Sequence, residues 1–300
     1  MEDKNANAAP EISKSSSIAI LLLIYVIGAV LGIVVARTVS ISNFAIRLIV
    51  ADLVATVFIF VFSISLKNSS VYDPYWSVQP IVIILSVLFG KGKLTTASAL
   101  VLIAVILWGA RLTANFVYGW RGLSHEDWRY SELRRSTGKF FPVVNLLGIH
   151  VVPTVIVCLA SLPAAYAVRF TARPDALTYI GFAFAIIATV IEAVADAEMH
   201  SFKKSAVGGL IRNGLWKYSR HPNYLGEIIF WWAIALIAVS LFGFYWYFVL
   251  GAALNTLLFI TVSIPMQEKR QSKKDGFAEY KKNTNFLLPV NYKKFIKSGK

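Results

Sequence analysis

Long apolar runs, separated by short polar and mostly basic stretches, set the pattern of this chain. Runs at 17–37, 45–66, 95–118, 143–169, 176–195, 226–242 and 244–264 each match the roughly 17–25 apolar residues a helix needs to cross a bilayer. An eighth run, 78–90, is shorter. About 10–14 apolar residues do not comfortably span, so this run reads either as a further crossing or as a broken, re-entrant segment. The pattern predicts an all-α polytopic membrane protein with seven or eight transmembrane helices.

Composition sharpens that reading. The chain is 57% hydrophobic and 15% charged, with a mean hydropathy of +0.62, whereas a soluble domain carries roughly 25% charged residues. The formal net charge of +14 would suit nucleic acid if it stood alone, but its placement argues against such a partner. Arg121, Arg129, Arg134, Arg135 and Lys139 fall in one loop. Lys203, Lys204, Arg212, Lys217 and Arg220 fall in another, and ten Lys/Arg lie from Lys269 onward. With eight crossings these segments share one side, which the positive-inside rule makes cytoplasmic, together with both termini. Basic residues there also meet anionic membrane lipids. A bacterial inner membrane and the endoplasmic reticulum fit equally well.

Residues 1–16 are polar and expected to be disordered. The run that follows is too long for a signal peptide and lacks its cleavage pattern, so it reads as a retained first helix. No linker or internal repeat divides the remainder. The simplest organisation is one membrane domain over 17–290, with substrate-side elements at 70–140, a C-terminal part at 176–290 and a basic tail at 291–300. Cys158 is the only cysteine, which excludes a disulfide within the chain and a Cys-based metal site.

The polar residues gather at helix ends on one side. That distribution suits an enzyme with a water-soluble cofactor in a cytoplasmic-side pocket and a lipidic small-molecule substrate drawn from the bilayer. Glu192, Asp196 and His200 recur every four residues and so share a helix face. They form either a helix end paired with Lys203, Lys204 or Arg212, or part of a site. Metal is disfavoured because the two-His helical motif is absent. Asn223 and Glu227 make a second i, i+4 pair, and Pro222 before them suits a first helical turn. That N-terminus, with Arg220 and His221 beside it, suits phosphate. Arg111 near a helix end either snorkels to the interface or acts in a site. Tyr72-Asp73-Pro74-Tyr75-Trp76-Ser77-Val78-Gln79-Pro80 is either an interfacial aromatic belt or the wall of a pocket for a flat substrate. Arg47 and Asp52 on the second run are too few for a charged relay. The basic, amphipathic stretch from Glu268 through Tyr280 to Pro289 reads as a membrane-surface segment.

The order of these pieces, Asp196, Lys203, Gly214, Tyr218, then Arg220-His221-Pro222-Asn223-Tyr224-Leu225-Gly226-Glu227, then a hairpin, then Glu268-Lys269-Arg270, Tyr280 and Pro289, resembles the C-terminal domain of the steroid 5-alpha-reductase family. Tyr72–Ser77, Trp108–Leu112 and Glu126–Tyr130 resemble its bacterial-type branch. The resemblance covers about 70–290 and implies NADPH-dependent reduction of an activated C=C bond in a steroid-like or other lipid. By it, Asp196, Asn223 and Glu227 match cofactor-pocket residues, and Lys203 stands where the family often has arginine. Glu192 departs from the family's asparagine. The resemblance extends the cofactor set to Arg212, Tyr218, Arg220, His221, Tyr224, Glu268, Arg270 and Tyr280. Lys203, Arg212 and Arg220 would suit a diphosphate and a 2'-phosphate. Polarisation of the substrate carbonyl would fall to Tyr72, Asp73, Tyr75 or Arg111. The alternative is an S-adenosylmethionine-dependent lipid or isoprenylcysteine methyltransferase, a class that also carries Arg-His-Pro-x-Tyr-x-Gly at a helix start. Glu268-Lys269 stands where that class has paired glutamates.

Overall fold

The computed structural model describes residues 12–205 and 208–289. The basic tail expected at 291–300 and most of the expected N-terminal disorder lie outside these residues. Among the described residues, eight helical segments are long and apolar enough to cross a membrane. The short run is one of them, since α3 (Tyr75–Lys91) is continuous and a 3-10 turn at Ser69–Tyr72 leads into it.

Local chemistry sets several helix starts. Helix α1 (Lys14–Thr38) begins three residues before the expected 17, because the Ser13 hydroxyl accepts from the Ser16 N–H at 3.1 Å. Asn43 caps α2 (Phe44–Ser65) through Ile46 N–H at 3.0 Å. Both caps satisfy donors that a helix end leaves unpaired.

The described chain divides into two compact units. The first, residues 1–86 with 112–158, holds α1, α2, most of α3, the end of α4 (Thr96–Gly119), α5 (Trp128–Thr137), α6 (Phe141–Val144), a π-helical segment at Asn145–Val151 and the start of α7 (Val152–Arg169). Helix α1 packs on α2. A Cβ at Gly32 would sit 3.4 Å from that of Ala55, so small residues let these backbones approach, as membrane helices require. Outward positions such as Leu22, Leu23, Val57 and Val61 are exposed and apolar, as expected of surfaces that meet lipid tails.

The second unit, residues 87–111 with 159–300, holds α8 (Ala176–Lys204), α9 (Pro222–Phe242), α10 (Trp246–Leu258), a π-helical turn at Phe259–Ser263, α11 (Ile264–Gln271) and α12 (Phe277–Asn283). Its main packing is α8 on α9. A Cβ on Gly181 would lie 2.8 Å from Ile237, so the two helices touch without a side chain between them. Helix α8 runs nine residues past the apolar stretch 176–195. Its acids find a partner inside the unit, so they do not force the helix to end at the interface.

Candidate active site

One guanidinium organises the second unit's polar centre. Arg111 Nη1 lies 2.9 Å from Asp196 Oδ2, and Arg111 also pairs with Glu192. Glu192 is buried and Asp196 is half-buried. The expectation that this acidic face would meet Lys203, Lys204 or Arg212 gives way to the pairing with Arg111, because a fork of fixed N–H donors serves two carboxylates better than separate flexible amines. The Arg111 head group is turned onto these acids rather than outward.

Glu227 joins the group from the first turns of α9. Trp231 Nε1 donates to its Oε1 at 2.7 Å, and Trp108 Nε1 donates to its Oε2 at 2.9 Å. The carboxylate is also close enough to feel the Arg111 charge. Asn223 hydrogen-bonds Asp196. The expected Asn223–Glu227 pair therefore divides, the amide turning to α8 and the carboxylate to two indoles. Those indoles were missed as donors. Trp231 stands four residues after Glu227 and Trp108 three before Arg111, which are helical same-face spacings. One cation thus faces three carboxylates. Arg111 Nε and Glu192 Oε1 are buried there without a hydrogen-bond partner.

Before α9 a second cluster forms. Pro222 occupies the first turn as expected, with His221 as N-cap. Arg220 donates through Nε to Glu268 Oε1 at 2.7 Å and through Nη1 to the carbonyls of Lys281, at 3.3 Å, and Thr284. Lys281 Nζ reaches Glu268 Oε2 at 3.0 Å, and His221 Nε2 stands 3.6 Å from Glu268 Oε1. His221 stacks on Tyr224, whose ring meets Phe259 at 4.6 Å. Arg220, read from sequence as a phosphate ligand, is buried in this brace.

Helix α12 is not only a surface segment. Phe277 and Tyr280 are buried, and Tyr280 donates its hydroxyl to the Trp216 carbonyl at 2.5 Å. Burial pushes that hydroxyl up to about 12, while the Arg220 and Arg212 charges pull the other way. Arg212 is exposed and donates to the Gly276 carbonyl at 2.8 Å, with Glu279 at 3.4 Å. Lys203, Tyr218 and Arg270 are exposed.

In the first unit, Tyr72 and Tyr75 are buried and already bonded, Tyr72 to Thr154 Oγ1 at 2.7 Å and Tyr75 to Asp52 Oδ1 at 2.8 Å. Asp73 accepts from Tyr130 and lies 3.5 Å from Arg129. Asp52, set aside in the sequence as too little for a relay, is a buried partner of Tyr75.

These elements define a polytopic, all-helical membrane protein with buried charge on facing helices. A family model described as "Protein of unknown function (DUF1295)" matches residues 59–284. The chain belongs to this DUF1295 family. It is 26% identical to an uncharacterized protein of Schizosaccharomyces pombe over 197 residues, 56% of this chain and 57% of that one. It is 30% identical to 3-oxo-5-alpha-steroid 4-dehydrogenase 1 of Rattus norvegicus over 128 residues, 42% of this chain and 46% of that one. The chain spans about half the length of these curated relatives. No solved structure matches it.

Proposed function

We propose that this chain is an NADPH-dependent membrane reductase that acts on an activated C=C bond of a steroid-like or other lipid substrate. The observation that carries this is the buried Arg111–Glu192–Asp196–Glu227 group with Asn223 beside it, in a chain similar to 3-oxo-5-alpha-steroid 4-dehydrogenase 1.

The donor set fits the cofactor in two respects. Buried polar atoms are almost always paired, yet Glu192 Oε1 and Arg111 Nε are left over, an acceptor and a donor of the kind that ribose hydroxyls and a carboxamide complement. The exposed Lys203, Arg212, Lys217 and Arg270 supply the positive charge that phosphates need. When bound, NADPH supplies the hydride. Arg111 holds the two α8 carboxylates in place, Asn223 orients Asp196, and the three acids favour positive charge in the space beside them. Arg220, Glu268 and His221 act as the brace that fixes the start of α9, with Tyr224 stacked on His221 and Tyr280 close enough to feel the Arg220 charge.

The test is thermal stabilisation of the purified protein by NADPH, NADH and S-adenosylmethionine, with Asn223→Ala and Asp196→Asn alongside. NADPH should stabilise most, and both variants should weaken the effect. Stabilisation by S-adenosylmethionine alone would replace the reductase with a lipid methyltransferase, and no response to any of the three would overturn both.

A further inference from the structure

The π-helical segment Asn145–Val151 concentrates polar atoms that nothing satisfies. His150 Nδ1 lies 2.9 Å from the Asn145 carbonyl. A carbonyl only accepts, so Nδ1 carries the proton, and in the neutral ring Nε2 is a bare acceptor. That Nε2 is without a partner, and so are Asn145 Oδ1 and Ser63 Oγ. The three residues are 0%, 1% and 1% exposed.

These atoms belong to packed neighbours within the first unit. Helix α2 contacts the π-helical segment, and its Phe60 ring is 5.3 Å from the His150 ring. Ser63 follows Phe60 by three residues, which places it on the same face. The Tyr72 ring lies 4.6 Å from His150 on another side. Other polar groups nearby have settled among themselves: Tyr72 and Thr56 both bond Thr154 Oγ1, and Tyr75 bonds Asp52. Unmet polar atoms are costly at membrane depth, where no bulk water competes for them. A π-helical turn frequently marks a functional site.

We infer that His150, Asn145 and Ser63 form a binding site for the hydroxyl of an apolar alcohol, with Phe60 and Tyr72 against its hydrocarbon body. A hydroxyl donates to Nε2 and accepts from Ser63, whereas a bare ketone could not serve the Nε2 acceptor. The site lies wholly in the first unit and does not rest on the reductase proposal, so failure of NADPH binding leaves it standing.

The experiment uses the full chain in lipid nanodiscs with 15N-labelled histidine. Four histidines are present, and His150→Gln assigns the signal. If that variant does not fold, substitution of His125, His200 and His221 assigns it by elimination. Three alcohols are titrated, a sterol, a branched prenol and a straight-chain alcohol, each beside its deoxygenated hydrocarbon. One class of alcohol should shift the His150 Nε2 resonance saturably and its hydrocarbon should not. Ser63→Ala should weaken that binding on the order of fivefold, as loss of one hydrogen bond implies. No saturable shift with any alcohol, or a signal that answers only to solvent deuteration as a trapped water would, overturns the inference.

Discussion

Glu227→Gln tests whether the two indoles are what fixes this carboxylate. Both oxygens accept from indole N–H groups, at 2.7 and 2.9 Å, and Glu227 and Trp231 are buried with Trp108. The change keeps the shape but turns one acceptor into an NH2 donor facing an indole donor. One bond to a charged group is lost, about 1.5–3 kcal/mol, and a buried donor is left unpaired, about 1–3 kcal/mol. The total is roughly 2.5–6 kcal/mol, which for a chain of this size lowers the melting temperature on the order of 10 °C. Intrinsic fluorescence during heating in detergent reads it directly. Adding Trp108→Phe removes the opposed donor and preserves the stack on Phe230, whose ring lies 5.0 Å away at 11°. The double variant should be more stable than the sum of the single changes by at least about 1 kcal/mol. If Glu227→Gln melted within about 2 °C of the parent, or the two changes simply added, the indoles would not be holding the carboxylate and the reasoning would fail.

Arg111→Met should cost about 3–5 kcal/mol, because it leaves buried acids uncompensated. Adding Glu192→Gln should recover part of the folded yield measured by size-exclusion chromatography. Gly226→Ala would press a Cβ into the Glu192 side chain and to 2.8 Å from the Ala188 carbonyl, so a loss of about 1–3 kcal/mol is expected. Gly119→Ala, with nothing within 4 Å, is the comparison that should leave the melting temperature almost unchanged. For Tyr280, the hydroxyl is raised from near 10 to about 12, so the unfolded chain loses its proton first as pH rises. The stability this contributes, at most about 2–3 kcal/mol, is complete below pH 10 and lost between about 10 and 12. Melting curves across that range should lose this step in Tyr280→Phe.

The crossings were legible because run length in an apolar chain is close to a direct measure of bilayer thickness. Helix ends were less so. The apolar run read from the sequence stops at 195, whereas α8 continues to Lys204, and only the position of Arg111, more than 80 residues away in the chain, shows what its acids pair with. Helical periodicity grouped Glu192 with Asp196 and Asn223 with Glu227, but it could not say which neighbour each side chain meets. The same limit hid Asp52, whose partner Tyr75 lies on another helix. The stretch over which the short motifs were read, about 70–290, lies largely within the family match over 59–284.

The brace around Arg220 has a consequence for how the protein is made. The residues that hold the start of α9, Glu268, Lys281 and Thr284, are synthesised some 50–65 residues after it. Until they leave the ribosome, a guanidinium and the backbone beside it lack these protein acceptors, although α8 and α9 can already lie against each other. The brace at the start of α9 is therefore completed late in translation, and a nascent chain that stalls before Thr284 would present a helical hairpin whose entrance is still unfastened.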